Sequence, residues 1–124
     1  MNNVEKLFDK YKNYIFQLSA DETPEFYIFS IKLQKAIQND IREHFQNLEI
    51  STWIKGHFYI SGFISRKTDS AIFYFNISDI LCQNNQVLYR SARHLKDYIG
   101  GINIYCLTKE LLEKIATECN EYIQ

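Results

Sequence analysis

The sequence predicts an α+β fold in which helices cover an antiparallel sheet. Apolar residues recur every three or four positions up to Leu48, then every second position from Ile50 to Ala92, and return to helical spacing after Thr108. The alternating runs are separated by short polar turns. That spacing predicts a meander, because parallel strands need long crossovers. The chain has 124 residues, the length of one domain, so residues 1–124 are read as a single compact unit.

The first helix is expected over residues 3–18, where Val4, Leu7, Phe8, Tyr11, Ile15 and Leu18 form a stripe opposite Glu5, Lys6, Asp9, Lys10 and Lys12. A second start follows at Thr23-Pro24-Glu25. Thr offers an N-cap oxygen, Pro fits the first helical position, and Glu faces the positive end of the dipole. Phe29, Leu33, Ile37, Ile41 and Phe45 then predict a helix over residues 24–46. Tyr27, Ile28 and Ile31 widen its apolar surface at the start, which suits burial on two sides or contact with a partner chain.

Four strands are expected next. Ile50, Thr52 and Ile54 alternate with Ser51, Trp53 and Lys55. Phe58, Ile60 and Ile64 then alternate with Tyr59, Ser61 and Phe63, and Phe73, Phe75 and Ile77 with Ile72, Tyr74 and Asn76. Val87–Ala92 closes the meander. Gly62, in mid-strand, marks either a bulge or a close packing contact. A last helix is expected over residues 108–123, with Thr108 as N-cap and Glu110 in its first turn. Its stripe would be Leu111, Leu112, Ile115, Cys119, Tyr122 and Ile123.

Composition narrows the classes of function. The three cysteines, Cys82, Cys106 and Cys119, are odd in number and lack CxxC spacing, so they read as buried free thiols. His44, His57 and His94 show no metal-ligand spacing, and no cofactor or metal is expected. The start of the chain lacks the pattern of a signal peptide, and no apolar run approaches the roughly 18 residues of a membrane span. A cytoplasmic location without membrane association is therefore expected. Net charge is −1, with a basic centre: residues 51–106 carry six Lys/Arg against three Asp/Glu. That excess is small for a nucleic-acid domain, and the pI of 6.3 is far below the value of about 9 that such domains often reach.

The stretch that looks most like a site runs from Val87 to Gly101. Arg90, Arg93, His94, Lys96 and Asp97 crowd one loop, which ends on the adjacent pair Gly100-Gly101. Arg suits a phosphate or carboxylate because its planar fork makes paired hydrogen bonds. The glycines allow a close backbone approach and a nest of N–H groups for an anion. No GxGxxG or GxxxxGK pattern accompanies them. The bland alternative is a solvated connector in which Asp97 pairs with Arg93 or Lys96.

Three functions compete. The leading expectation is a non-catalytic binding module, an inhibitor or adaptor with a protein partner or in a homodimer. It rests on 15% aromatic residues, near-zero net charge and the lack of a catalytic pattern. Trp53, Tyr59, Phe63 and Tyr74 lie on the sheet face with no evident cover other than the last helix. The runner-up is a nucleic-acid-binding module that stacks bases on those aromatics and holds phosphates with the basic loop. The third is a small phosphate-handling enzyme in which Asp97 orients His94 beside Ser91 or Cys106. Arg90→Ala with Arg93→Ala is expected to leave the fold largely intact, as surface substitutions that change stability by no more than about 0.5 kcal/mol.

Overall fold

The structure, a computed structural model, describes residues 2–11, 24–55, 59–67, 72–77, 86–97 and 99–124, with the side chains of 24–26, 53–55, 59 and 86 outside that description. The order is α1 (Asn3–Lys10), α2 (Pro24–His44), β1 (Leu48–Lys55), β2 (Tyr59–Arg66), β3 (Ile72–Ile77), β4 (Gln86–Ala92), β5 (Ile104–Leu107) and α3 (Leu111–Glu118). The fold is α+β, as the periods predict. The sheet has five strands rather than four, all antiparallel, in the order β1-β2-β3-β4-β5.

The helices cover one face. From α2, Leu33, Ile37 and Ile41 meet Ile60, Ile64, Phe73, Phe75 and Ile77 in one core, which Leu111, Leu112 and Ile115 of α3 join. Each of these side chains is nearly or fully buried, and burial of a Leu, Ile or Phe contributes about 1.5–3 kcal/mol. Gln34 and Gln38, one turn apart on α2, both donate to Thr52 Oγ1 of β1, at 2.8 and 2.7 Å. These bonds fix how the helix lies along the first strand.

α1 docks on α2 through a cap supplied from outside its own sequence. Asp40 of α2, 2% exposed, accepts the backbone N–H of Asn3 at 2.7 Å and of Val4 at 3.1 Å. Asn2 Oδ1 accepts the N–H of Glu5 at 2.8 Å as the local N-cap. Helical geometry is described to Lys10, with Tyr11 as C-cap, and the expected continuation over residues 12–18 lies outside the described residues. Phe29 receives the rings of Phe8 and Tyr11 edge-on.

The remaining departures are local. α2 ends at His44 rather than residue 46. The last helix begins at Leu111, after a turn of 3-10 helix over Thr108–Glu110, and ends at Glu118. Thr108 is buried at 1% exposure in that turn, not an N-cap, and the Glu110 carboxylate accepts the N–H of Leu107 at 2.9 Å. α3 closes on Asn120 at φ 54°, where Glu121 N–H donates to Ala116 O and Asn120 N–H to Thr117 O. Those two bonds form a Schellman motif, with Asn at the left-handed position. Tyr122 is therefore beyond the helix and 91% exposed.

Gly62 settles its own question. The β1–β2 and β2–β3 registers run through it without a bulge. A Cβ there would lie 2.6 Å from the ring of Phe75 and 3.0 Å from Ser51 O. Glycine lets a buried aromatic ring lie flat on the strand.

Candidate functional site

Alternation places Arg90 on the sheet face opposite the helices, between Leu88 and Ala92, across from Tyr74. An arginine there is expected to point into water. It does not, because the chain after β4 folds back over it. Arg90 is 4% exposed, and its guanidinium lies 4.4 Å from the centre of the Tyr74 ring. Nη2 donates to the carbonyl oxygen of Asp97, and Nη1 to that of Ser91 at 3.3 Å. Tyr74 in turn packs on Phe63 at 5.0 Å between centroids. Phe63 and Tyr74 are both buried, so neither offers a stacking platform to a ligand. The expected cover, the last helix, belongs to the other face. The side chains of Trp53 and Tyr59 lie outside the described residues.

Asp97, 2% exposed, is the hub of the loop. Oδ2 accepts the Arg93 backbone N–H at 2.9 Å and its Nε at 3.1 Å. Oδ1 accepts the N–H of Ile99 at 3.1 Å and of Gly100 at 2.9 Å. The Arg93 side chain and then the backbone N–H groups of Gly100 and Arg93 hold this carboxyl far below the ordinary aspartate range, against the opposing effect of burial. Arg93 is correspondingly raised by the Asp97 carboxylate. Of the N–H groups expected at the glycine pair, only that of Gly100 reaches an anion, the chain's own Asp97, beside the N–H of Ile99; the Gly101 N–H donates to Ser91 O at 3.1 Å instead.

The glycines have a related task. Gly100 has φ 31°, and a Cβ there would collide with the Arg90 guanidinium; at Gly101 it would meet Ser91 Oγ at 2.5 Å. The backbone's close approach is thus to the Arg90 and Ser91 side chains. Lys96, at φ 67°, turns the loop with a non-glycine residue in the left-handed region, where strain runs to about 1–2 kcal/mol.

The cluster expected from the sequence therefore divides. Arg90, Asp97 and Gly100 form its interior, while Arg93, His94 and Lys96 stand exposed on the rim. His94 Nδ1 lies 2.9 Å from the Leu95 carbonyl oxygen, and both Asp97 oxygens are engaged elsewhere, so no oriented imidazole–carboxylate pair forms. Cys106 is buried among apolar groups and near Glu110, which pushes its thiol up to about 11 and leaves it a poor nucleophile.

Sequence reasoning missed the exposed apolar residues of the same loop and the strand after it. Leu95, Ile99, Ile102, Ile104 and Tyr105 are 55%, 83%, 85%, 43% and 58% exposed. The available signal was their density, four large apolar residues within Ile99–Tyr105, but the polar and glycine residues of the loop look more like a site.

Two other places gather ligand atoms or enclose space. Asp40, Glu43 and His44 offer ligand atoms within 4.8 Å of one another. Asp40, however, caps α1, Glu43 accepts from the Asn3 side chain at 3.0 Å, and His44 Nδ1 lies 2.6 Å from Gln124 O. A crevice between α1, α2 and α3, lined by Val4, Ile37, Leu112 and Ile115, has a volume of only about 10 Å³, room for about one water. That is below the roughly 300–1,000 Å³ of small-molecule pockets. Among the described residues, no helix is long and apolar enough to cross a membrane. Comparison with known protein families, with curated proteins and with solved structures finds no match.

Proposed function

We propose that this domain is a non-catalytic protein-interaction module, an inhibitor or adaptor, that meets its partner through the loop between β4 and β5. One observation carries the reading. The loop holds Leu95, Ile99 and Ile102 in solvent while Arg90 and Asp97 brace it from beneath. Large exposed apolar side chains clustered on a surface mark interaction sites. A braced loop loses little conformational freedom on binding, which favours affinity. Arg93, His94 and Lys96 on the rim add direction and charge selectivity. The burial of Phe63, Tyr74 and Arg90 weighs against the base-stacking alternative, because it withdraws two platforms and a phosphate contact.

The test is affinity capture with cross-linking from the source cells, comparing the wild type with Ile99→Asp/Ile102→Asp. Both side chains are more than four-fifths exposed, so the variant keeps its fold, which circular dichroism checks. A protein captured by the wild type and depleted at least about tenfold with the variant is the expected result. Equal capture of every protein by both forms would refute the reading.

A further inference from the structure

We infer that the open edge of β5 receives an added strand from an acidic segment of the partner protein. This rests on the interaction reading above and extends it to the mode of contact and the partner's chemistry. β5 ends the sheet order, so among the described residues Ile104–Leu107 have a strand on one side only.

The hydrogen-bond pattern shows what that edge presents. Leu107 N–H donates to Glu110 Oε1 at 2.9 Å, which takes it out of the ladder with Gln86 opposite. Directly opposed antiparallel pairs alternate between bonded and non-bonded. Val87 with Cys106, and Tyr89 with Ile104, are thus the bonded pairs. Tyr105, opposite Leu88, turns its N–H and carbonyl away from β4. An extended peptide passing alongside would find a donor and an acceptor there.

The side chains argue for an edge contact rather than a face contact. Ile104 lies opposite Tyr89, on the helix side of the sheet, and Tyr105 opposite Leu88, on the other. Both are exposed, at 43% and 58%. A partner lying on one face covers one of them. A strand running beside β5 covers both, because its own side chains alternate between the two faces.

Charge selects the occupant. Exposed lysines flank the strand in the chain, Lys96 on the preceding loop and Lys109 just after it. Asp97 and Arg93 satisfy each other, and the Glu110 carboxylate is turned onto the Leu107 N–H. Antiparallel pairing of two copies through β5 would set Lys109 of one against the basic loop of the other, a repulsive match. An acidic segment complements both ends.

The test pans a random peptide library displayed on phage against the full chain. The expected peptides place Asp or Glu around β-branched or aromatic residues. A selected peptide, synthesised, should slow hydrogen exchange at the Tyr105 amide. It should bind Tyr105→Pro, and also Lys96→Glu/Lys109→Glu, at least about tenfold more weakly than wild type. Proline is tolerated at an edge position whose N–H faces outward, and its melting temperature reports whether the fold survives. If it does not, the charge-reversed variant carries the comparison alone. The inference is overturned by selection of no peptide or of non-acidic ones, by binding indifferent to these variants, or by a homodimer that Tyr105→Pro makes monomeric. Cellular capture that Ile99→Asp/Ile102→Asp abolishes and Tyr105→Pro leaves intact would overturn strand addition while the loop reading stands.

Discussion

Arg90 and Asp97, seven residues apart, are joined through the carbonyl oxygen of Asp97 rather than its carboxylate, which Arg93 occupies. The buried cation therefore fastens the loop's backbone to the sheet, and the buried anion fastens the loop to itself. Removing Arg90 strips donors from two carbonyl oxygens, exposes the face of Tyr74 and empties the space under Gly100.

Arg90→Ala is accordingly expected to cost about 2–4 kcal/mol in urea denaturation, in the range for opening a cavity and stranding buried polar groups. Arg93→Ala, with a side chain 71% exposed, is expected to leave the midpoint almost unchanged, because solvent screens the pair and the backbone N–H of residue 93 still donates to Asp97. This corrects the expectation that the two changes together alter stability by no more than about 0.5 kcal/mol. Similar midpoints for Arg90→Ala and wild type would mean that the loop does not depend on Arg90.

The same network has a pH signature of definite sign. Asp97 is lowered in the folded state, so its contribution to stability is present above the ordinary aspartate value of about 3.9 and fades as pH falls through the much lower folded value. The loop should stay closed from neutral pH down to about pH 4, with the amide shifts of Ile99 and Gly100 unchanged. Asp97→Asn should flatten the loss of stability between about pH 5 and 3 relative to wild type. An Ile99 or Gly100 amide that titrates with a midpoint near 4 would contradict the assigned bonds.

How much of this could be read from the sequence depends on whether a residue's neighbour is local. Phe29, Leu33, Ile37 and Ile41 share a helix face by spacing alone, and the alternation of Phe73, Phe75 and Ile77 sets their side of the sheet. β5 escaped because Ile104–Leu107 is four residues long, and its strand geometry comes from pairing with β4 rather than from a period of its own. Arg90 escaped for a related reason. Strand alternation gives the face on which a side chain stands, but not whether a later loop will cover it. Asp40 likewise sits among polar residues of α2, and only α1, about 36 residues earlier in the chain, makes it a buried cap.

Gly62→Ala tests the packing of the sheet. The added methyl would lie 2.6 Å from a ring atom of Phe75, which is fully buried in the core and has no open space to enter. Overpacking of this kind costs about 1–3 kcal/mol, and the melting temperature should fall by several degrees, about 4–8 °C per kcal/mol for a small domain. An unchanged melting temperature would mean that Phe75 does not lie flat on the strand.

Asp40→Asn isolates the cap that α2 gives to α1. Each aspartate oxygen accepts one N–H, from Asn3 and Val4, in a site almost closed to water. The amide keeps one acceptor and turns an NH₂ group toward the second N–H, so one buried donor is left facing another donor. Loss of a charge-assisted bond and of the favourable match to the helix dipole together cost about 1–3 kcal/mol. The damage should be local in kind. Hydrogen exchange at amides in α1 should accelerate, whereas the loop that displays Ile99 and Ile102 lies elsewhere and keeps its protection at Gly100. Val4→Ala offers the complement, because it thins the apolar contact while leaving both bonds in place. If Asp40→Asn leaves exchange in α1 unchanged, packing holds that helix, and Val4→Ala should then release it.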